Sequence, residues 1–300
     1  RARAGMLVRT RAFFCQRGVL EVETPLLQQG PNRDHGITPV PVTLADGRRW
    51  LITSPEHHLK RLLAAGWPDC WTLATCLRDG ECGRRHQPEF RLLEWYRLGY
   101  DEHCLATETC ACIQALLGRD APVQRISYRE AFRAHCGIDP FQADLGALQR
   151  AAGPELCTAA GDRRGDLLDL LLSQTVETSF DPDALTVLTD WPPEQAAQAR
   201  CRNDAAGTPV AARFEIFHGG LELANGYHEC NDAQELRRRF TADAGRRPTD
   251  DGDHDEHFLA ALAHGLPACA GVAVGFDRLL MLLLERPDIA SVRSFAWPQA

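Results

Sequence analysis

Apolar and polar residues alternate through Trp71, Leu73 and Thr75 and again through Leu92, Glu94 and Tyr96, a period of two that predicts two antiparallel strands. Between them runs RDGECGRRHQPEF, too charged to be core and long enough to wrap a ligand. Other segments follow a helical period. Leu7, Phe13 and Phe14 predict a helix over Ala4 to Gln16, stopped by Gly18 before the strand-like VLEVETP, where Pro25 ends regular pairing. Ser54-Pro55-Glu56 opens a second helix with Leu59, Leu62 and Leu63 on one face, and a third is expected from Asp101 to about Leu117.

From Pro122 to about Asp204 the pattern predicts helices (Tyr128 to His135, Leu145 to Ala151, Asp166 to Val176) with one apolar strand, Leu185 to Thr189. This reads as a helical insertion, about 122–204, in a single domain spanning 1–300, and nothing in it looks catalytic. Strands return at Ala211 to His218. Gly219-Gly220 is a two-residue hairpin signal leading into LELANGYHE, and the helices Asp255 to His264 and Phe276 to Leu284 bracket the strand GVAVG. The expected class is α+β, an antiparallel sheet flanked by helices.

Composition is ordinary for a globular chain of 300 residues, with 44% hydrophobic and 25% charged. A net charge of -8 gives no general attraction to phosphate backbones and argues against a tRNA or DNA partner. No apolar run approaches a membrane span and the opening RARAGMLVRTRAFF is too charged for a signal peptide, so a cytoplasmic protein is expected. The twelve cysteines include no CxxC and read as free, mostly buried thiols; Cys110/Cys112, Cys76/Cys82 and His254/His257 match no zinc pattern.

The charged loop carries the candidate chemistry. Arg78 can fork two bonds to a phosphate, Phe90 offers a face for a purine, and His86 adjoins Arg84 and Arg85, which favours phosphate contact. In the hairpin, Phe217 should face Glu222 with Glu215 one diagonal step away, so two carboxylates share one face. They are either a solvated surface pair or sites for a neutralising cation, a basic side chain or Mg²⁺ held together with substrate phosphates. Glu229 lies seven residues past Glu222, about 23 Å along a straight strand and on its opposite face. A bulge or bend at Asn225-Gly226 is therefore expected to re-aim it, and there it could bind an ammonium group. GVAVGFDR places two glycines on a strand and Arg278 at a helix start, fitting either a ligand lying on the strand or close helix packing.

RGVLEVETPLL, LRDGECGRRHQPEFRLLEWY and GVAVGFDRLLML resemble motifs 1, 2 and 3 of the class II aminoacyl-tRNA synthetase catalytic domain. TSPEHHLKRLL, HQPEFRLLEWY and GLELANGYHECNDAQE are similar to the lysyl branch, and the likeness runs from about Met6 to Phe295. A start almost at motif 1, without a preceding anticodon-binding barrel, together with Ala273 where glycine is usual, resembles the paralogues that modify elongation factor P. That resemblance implies activation of (R)-β-lysine, or lysine, as an adenylate with ATP and Mg²⁺, transfer to a lysine of elongation factor P rather than to tRNA, and a homodimer through motif 1.

Carried over by motif, Arg78 and Arg278 are the catalytic arginines, on the α-phosphate and the terminal phosphate. Asp79, Gly80, His86, Gln87, Phe90, Glu222, Leu223 and Gly275 join them around ATP, with Phe90 on the adenine and Gly275 leaving room for the nucleotide. Glu215 and Glu222 hold Mg²⁺, while Glu229 and Tyr96 take the distant amine of the lysyl substrate. Ser54, Pro55, Glu56, Glu94 and Ala273 surround its other end. The chain departs from the motif at Gly80, where glutamate is usual and Glu81 follows instead, and at Gln87, where asparagine is usual. A lysyl-tRNA synthetase separated from its anticodon domain and a non-catalytic nucleotide or amino-acid binding regulator stand as alternatives.

Overall fold

A computed structural model describes residues 1–32, 36–160, 163–244 and 254–299. Helix α1 (Ala2–Cys15) is followed by Gly18 at φ 67° and the strand β1 (Leu20–Glu21), much shorter than the extended run VLEVETP predicts. Strands β2 (Leu27–Gln28), β3 (Pro41–Leu44) and β4 (Gly47–Leu51) form a small antiparallel sheet of order β2-β4-β3. Helix α2 (Glu56–Ala64) has Pro55 at its N-cap. Ser54 lies one residue earlier, where its Oγ accepts the Glu56 N–H at 3.3 Å.

Strands β5 (Cys70–Leu77) and β6 (Glu89–Leu98) pair antiparallel around the charged loop, as the alternation predicts. Helix α3 (Glu102–Leu117) starts at Asp101, whose carboxylate accepts the Cys104 N–H, and ends at Gly118 in the left-handed region.

The segment 122–204 is less helical than its pattern indicates. It holds α4 (Tyr128–Cys136), α5 (Leu145–Ala160, broken at Gly153 ahead of Pro154) and α6 (Arg164–Leu171), which runs on through a π turn to Val176. It also supplies strands β7 (Val123–Ser127), β8 (Leu185–Trp191) and β9 (Cys201–Asn203). Strand β7, the sequence VQRIS, is largely exposed and has no apolar alternation to announce it. The chain closes with β10 (Pro209–His218), β11 (Leu221–His228), α7 (Ala233–Ala244), α8 (Glu256–Gly265), β12 (Cys269–Gly275) and α9 (Phe276–Leu283).

Among the described residues the main sheet has the order β1-β5-β6-β12-β11-β10-β8-β7, with β9 on β10. It is antiparallel in the middle and parallel at both edges, β1 with β5 and β7 with β8. One face packs on α1, α3 and α9 around Met6, Phe14, Trp95, Ile113, Val272 and Leu279. On the other face, α4–α6 cover one end around Phe132, Leu168 and Phe217, and α2, α7 and α8 cover the opposite end around Leu59, Leu236 and Phe258. The sheet between those two clusters is left for a cavity.

A bulge in the β10–β11 hairpin determines which side chains face that cavity. Phe217 pairs with Glu222 as expected, but Ile216 pairs with Ala224, so Leu223 is an extra residue. The parity of β11 flips there, and Glu222 and Asn225 come to the same face despite their odd spacing. The bulge is thus real but lies at Leu223, not at Asn225-Gly226. Gly226 serves packing instead, because a Cβ there would sit 2.4 Å from the Phe214 ring.

No helix among the described residues is long and apolar enough to cross a membrane. All twelve cysteines are free, and only Cys70, Cys76, Cys110, Cys112, Cys230 and Cys269 are buried, fewer than the composition implied. The expected effect of Gly226→Ala is a loss of about 1–3 kcal/mol of stability from overpacking against Phe214, read as a lower denaturation midpoint. An unchanged midpoint would contradict the packing role assigned to this glycine.

Candidate active site

Four central strands set their side chains in rows across the open face. Glu94, Ala273, Asn225 and Glu215 are successive cross-strand partners, and Tyr96, Gly271, Tyr227 and Arg213 form the next row. These rows floor a cavity of about 810 Å³. The charged loop and Arg278 close one end, and Ser54 and Glu56 line another side. Segment 163–169 with Glu194 and Gln195 forms a wall, so the region read as chemically silent borders the site after all.

One end of the floor is acidic. Lys60, one helical turn after Glu56 on α2, is fully buried, and its Nζ donates to Glu56 Oε1 at 2.5 Å and Gln198 Oε1 at 3.0 Å. It also forms an ion pair with Glu229 Oε2 at 2.5 Å, outside hydrogen-bond geometry. Glu229 lies behind Gly271, where a Cβ would stand 2.6 Å from its Oε1 and 2.1 Å from Tyr96 Cε1. Glu229 itself does not line the cavity; Gly271 does, and the lack of a side chain there leaves nothing but backbone between the cavity and the buried carboxylate.

Tyr96 Oη donates to Glu94 Oε1 at 2.9 Å. Glu94 Oε2 and both oxygens of Glu229 are buried with no hydrogen-bond partner among the described residues, Oε2 of Glu229 having only its ion pair with Lys60. Orphaned carboxylate oxygens inside a protein are costly, so they mark where a cationic ligand belongs. Burial pushes the Glu229 carboxyl up to about 8, with Lys60 opposing and Glu56 adding to the rise. Burial and the neighbouring Glu56 carboxylate also raise Glu94 well above the usual range.

The other end is built of arginines and carboxylates. Arg78 donates from Nε to the Thr53 carbonyl at 3.2 Å and holds its guanidinium 4.9 Å over the Phe90 ring, the face expected to take adenine. Gly80 has φ 78°, a turn that suits glycine, and the following Glu81 lies 3.6 Å from Arg78. The residue displaced from the usual motif position therefore still faces the arginine. Arg278 donates from Nη1 to the Glu222 carbonyl at 2.8 Å and to Glu222 Oε2 at 3.2 Å, and its Nη2 is 2.8 Å from His86 Nε2. Burial and Arg278 lower the His86 pKa, so the ring is neutral near pH 7 and its Nε2 accepts from the guanidinium. In this geometry His86 orients Arg278 and carries no charge to a phosphate.

Gln87 Oε1 accepts the Trp297 N–H at 2.7 Å, which ties the loop to the C-terminal segment. At Gly275 the Arg278 stem takes up the space, its Cδ 3.2 Å from where a Cβ would be. Asp79 and Gly80 are exposed and do not line the cavity; Asp79 instead uses its N–H on the Thr38 carbonyl. Pro55 does not line it either, its carbonyl accepting the Leu59 N–H inside α2.

Glu215 is buried and paired with Arg213 at 2.5 Å, while Glu222 stands at the more open side of the same floor. Burial raises the Glu215 carboxyl to about 8 against the pull of Arg213, and Glu222 adds to the rise. Glu177, after α6, is raised to about 7 by burial and then by Glu222. Glu177 does not line the cavity, and no three such side chains cluster as metal ligands among the described residues, so a hard cation at Glu215 and Glu222 would need phosphate oxygens and water to complete its coordination. Sequence reasoning did not select Lys60, Arg213, Asn225, Tyr227 or Glu177. For two of them a signal existed, since Lys60 is four residues after Glu56 on a helix and Arg213 two before Glu215 on a strand.

Glu215 carries a testable consequence. Its folded pKa lies above its unfolded value, so the folded state keeps a proton that the unfolded chain releases, and its contribution to stability is lost as pH rises from about 4.5 to about 8. Compared with Glu215→Gln in urea unfolding, the native protein is expected to lose ground across that window by at most about 1.4 kcal/mol per pH unit. A pH-independent difference would show that Glu215 is ionised throughout.

A family model for class II tRNA synthetases (D, K and N) matches residues 1–299. An elongation factor P–(R)-beta-lysine ligase from Sodalis glossinidius (strain morsitans) is 40% identical over 310 aligned positions, covering 99% of this chain and 94% of that protein. Proteins of the same name from Salmonella dublin and Salmonella gallinarum are 39% identical with the same coverage. The chain therefore belongs to the class II tRNA synthetase family (D, K and N), alongside relatives named as elongation factor P–(R)-beta-lysine ligases.

Proposed function

We propose that this protein is an ATP-dependent ligase that activates (R)-β-lysine, or lysine, as an adenylate and transfers it to a lysine side chain of elongation factor P. The observation that carries the reading is one cavity with an arginine end for a triphosphate and an acidic end for ammonium groups, lined by Glu94 with its orphaned Oε2 and backed by the buried Glu229 beside Gly271. The names of the relatives support the acceptor and the β-amino acid.

In the first step a substrate carboxylate oxygen attacks the α-phosphorus, pyrophosphate leaves, and the acyl adenylate forms. Arg78 offsets the charge on the α-phosphate and leaves the Phe90 face for adenine, while Arg278, braced by His86, holds the terminal phosphate. Glu215 and Glu222 would hold Mg²⁺, whose chemistry there is to offset charge developing on the phosphates. Glu229 and Glu94 fix the amines, so the carboxylate is presented in one orientation. In the second step the neutral amine of the acceptor lysine attacks the carbonyl carbon, AMP leaves, and the amine proton passes to solvent.

The rest of the reading follows the family. The chain is one catalytic domain with residues 122–204 as an insertion bordering the site, it works in the cytoplasm, and it needs no tRNA. Two copies pair through the motif 1 region, where Val8, Leu20 and Leu26 are exposed apolar side chains.

The test is mass spectrometry of purified elongation factor P after incubation with the protein, ATP, Mg²⁺ and (R)-β-lysine. Addition of one lysyl group is expected, and no addition while an active control enzyme modifies the same sample would refute the reading. Arg278→Ala is expected to slow lysine-dependent pyrophosphate exchange by about 100-fold or more.

A further inference from the structure

Lys60 is a buried ammonium that the proposed reaction does not consume. The ionisable groups around Glu229 are Glu56 and Lys60 from α2, Glu94 and Tyr96 from β6 and Cys269 from β12, with Cys70 from β5 next to Glu94 and Cys269. Arg200, which follows the residue bridged to Glu229, also acts on Cys269, but its guanidinium bonds Asn231 Oδ1 at 3.4 Å and it is not among the groups that shift Glu229. Burial pushes the Cys70 thiol up to about 12 and raises Cys269 and Tyr96 as well, so all three are neutral. With Glu56, Glu94 and Glu229 all ionised, three carboxylates would stand against one ammonium, a deficit of two positive charges that the raised Glu94 and Glu229 carboxyls meet with protons while no ligand is bound.

Burial alone would neutralise Lys60, but Glu229 and Glu56 outweigh it and keep the amine charged. Its three contacts, on Glu56 Oε1, Glu229 Oε2 and Gln198 Oε1, reach three separate chain segments. The ion pair engages Oε2 of Glu229, and Oε1 lies on the side of Gly271, a residue that lines the cavity.

We propose that Lys60 is a positioning residue, a built-in ammonium that clamps Glu56 and Glu229 and sets the acidic end two positive charges short, the number a diamino acid carries. Lys60 touches no substrate. It directs one carboxylate oxygen at the ligand and limits the site's demand to two charges, so monoamino acids leave a buried carboxylate unpaired. This inference rests on the lysyl-substrate reading above.

The test is lysine-dependent pyrophosphate exchange with Lys60→Met and Lys60→Arg across pH 6.5 to 9. Lys60→Met is expected to raise the KM for lysine at pH 7 by about 30-fold while kcat and the KM for ATP stay within about twofold. Losing the adjacent cation also raises the Glu229 pKa further, so the fall in lysine KM with rising pH should move to higher pH. Lys60→Arg keeps the charge and should retain the native pH profile. Equal losses in kcat and in both KM values, with an unmoved pH profile, would mean Lys60 only packs and would overturn the proposal.

Should Lys60→Met fail to fold, the native protein still decides. Lysine binding at pH 7, measured calorimetrically in two buffers of different ionisation heat, should release protons, because without ligand the deficit is met by protonated carboxyls. Binding without proton release would overturn the charge deficit. Native protein showing neither lysine binding nor exchange would defeat the substrate reading and this inference together, an outcome distinct from an active enzyme with an unaffected Lys60 variant.

Discussion

The extra residue in β11 at Leu223 is the constraint on which the site depends. A strand alternates faces, so without the bulge Glu222 would point into the core-facing layer while Asn225 and Tyr227 faced the cavity. The added residue brings Glu222 to the side of Glu215, and the same strand then carries on past Tyr227 to Glu229 at the acidic end. One irregularity thereby links two chemistries about a strand's length apart. Gly271 and Gly226 complete the arrangement by removing side chains where Tyr96 and Phe214 press against the sheet.

The burial that makes this site costly also makes it selective. Carboxylates beneath the sheet floor cannot be solvated, so each is paired, protonated or directed at a ligand. Glu215 has Arg213, Glu56 has Lys60, and Glu94 has the Tyr96 hydroxyl on only one of its two oxygens. Glu229 is ion-paired on one oxygen and has no partner on the other among the described residues. At the opposite end Arg78 and Arg278 rest on Phe90 and Glu222, positions they can yield when phosphates arrive.

Local patterns made much of this legible. The alternation around Glu94 and Tyr96, the Gly219-Gly220 turn and the helix from Asp101 all reappear with nearly their expected bounds. Motif spacing brought Arg78, Phe90, Glu215 and Arg278 to one cavity. What sequence could not convey was set by contacts between distant segments. Strand β7 is mostly exposed and is held by pairing with β8, not by its own pattern. The position of the bulge depends on how β10 meets β11, and odd spacing alone required only that one exist. His86 resembled a phosphate ligand in its basic loop, until Arg278, 192 residues away, proved to be its partner. Asp79 adjoins Arg78 in sequence but lies outside the cavity, its N–H bonded to the Thr38 carbonyl.

The central claim is that the two ends of one cavity hold the two halves of a lysyl adenylate. A crystal structure with a non-hydrolysable lysyl adenylate analogue tests it most directly. The account predicts adenine against Phe90 with the Arg78 guanidinium moved onto the phosphate, and the distal ammonium within hydrogen-bonding distance of Glu229 Oε1 beside Gly271. An analogue bound with its amine away from Glu229 and Glu94, or with its base away from Phe90, would contradict it.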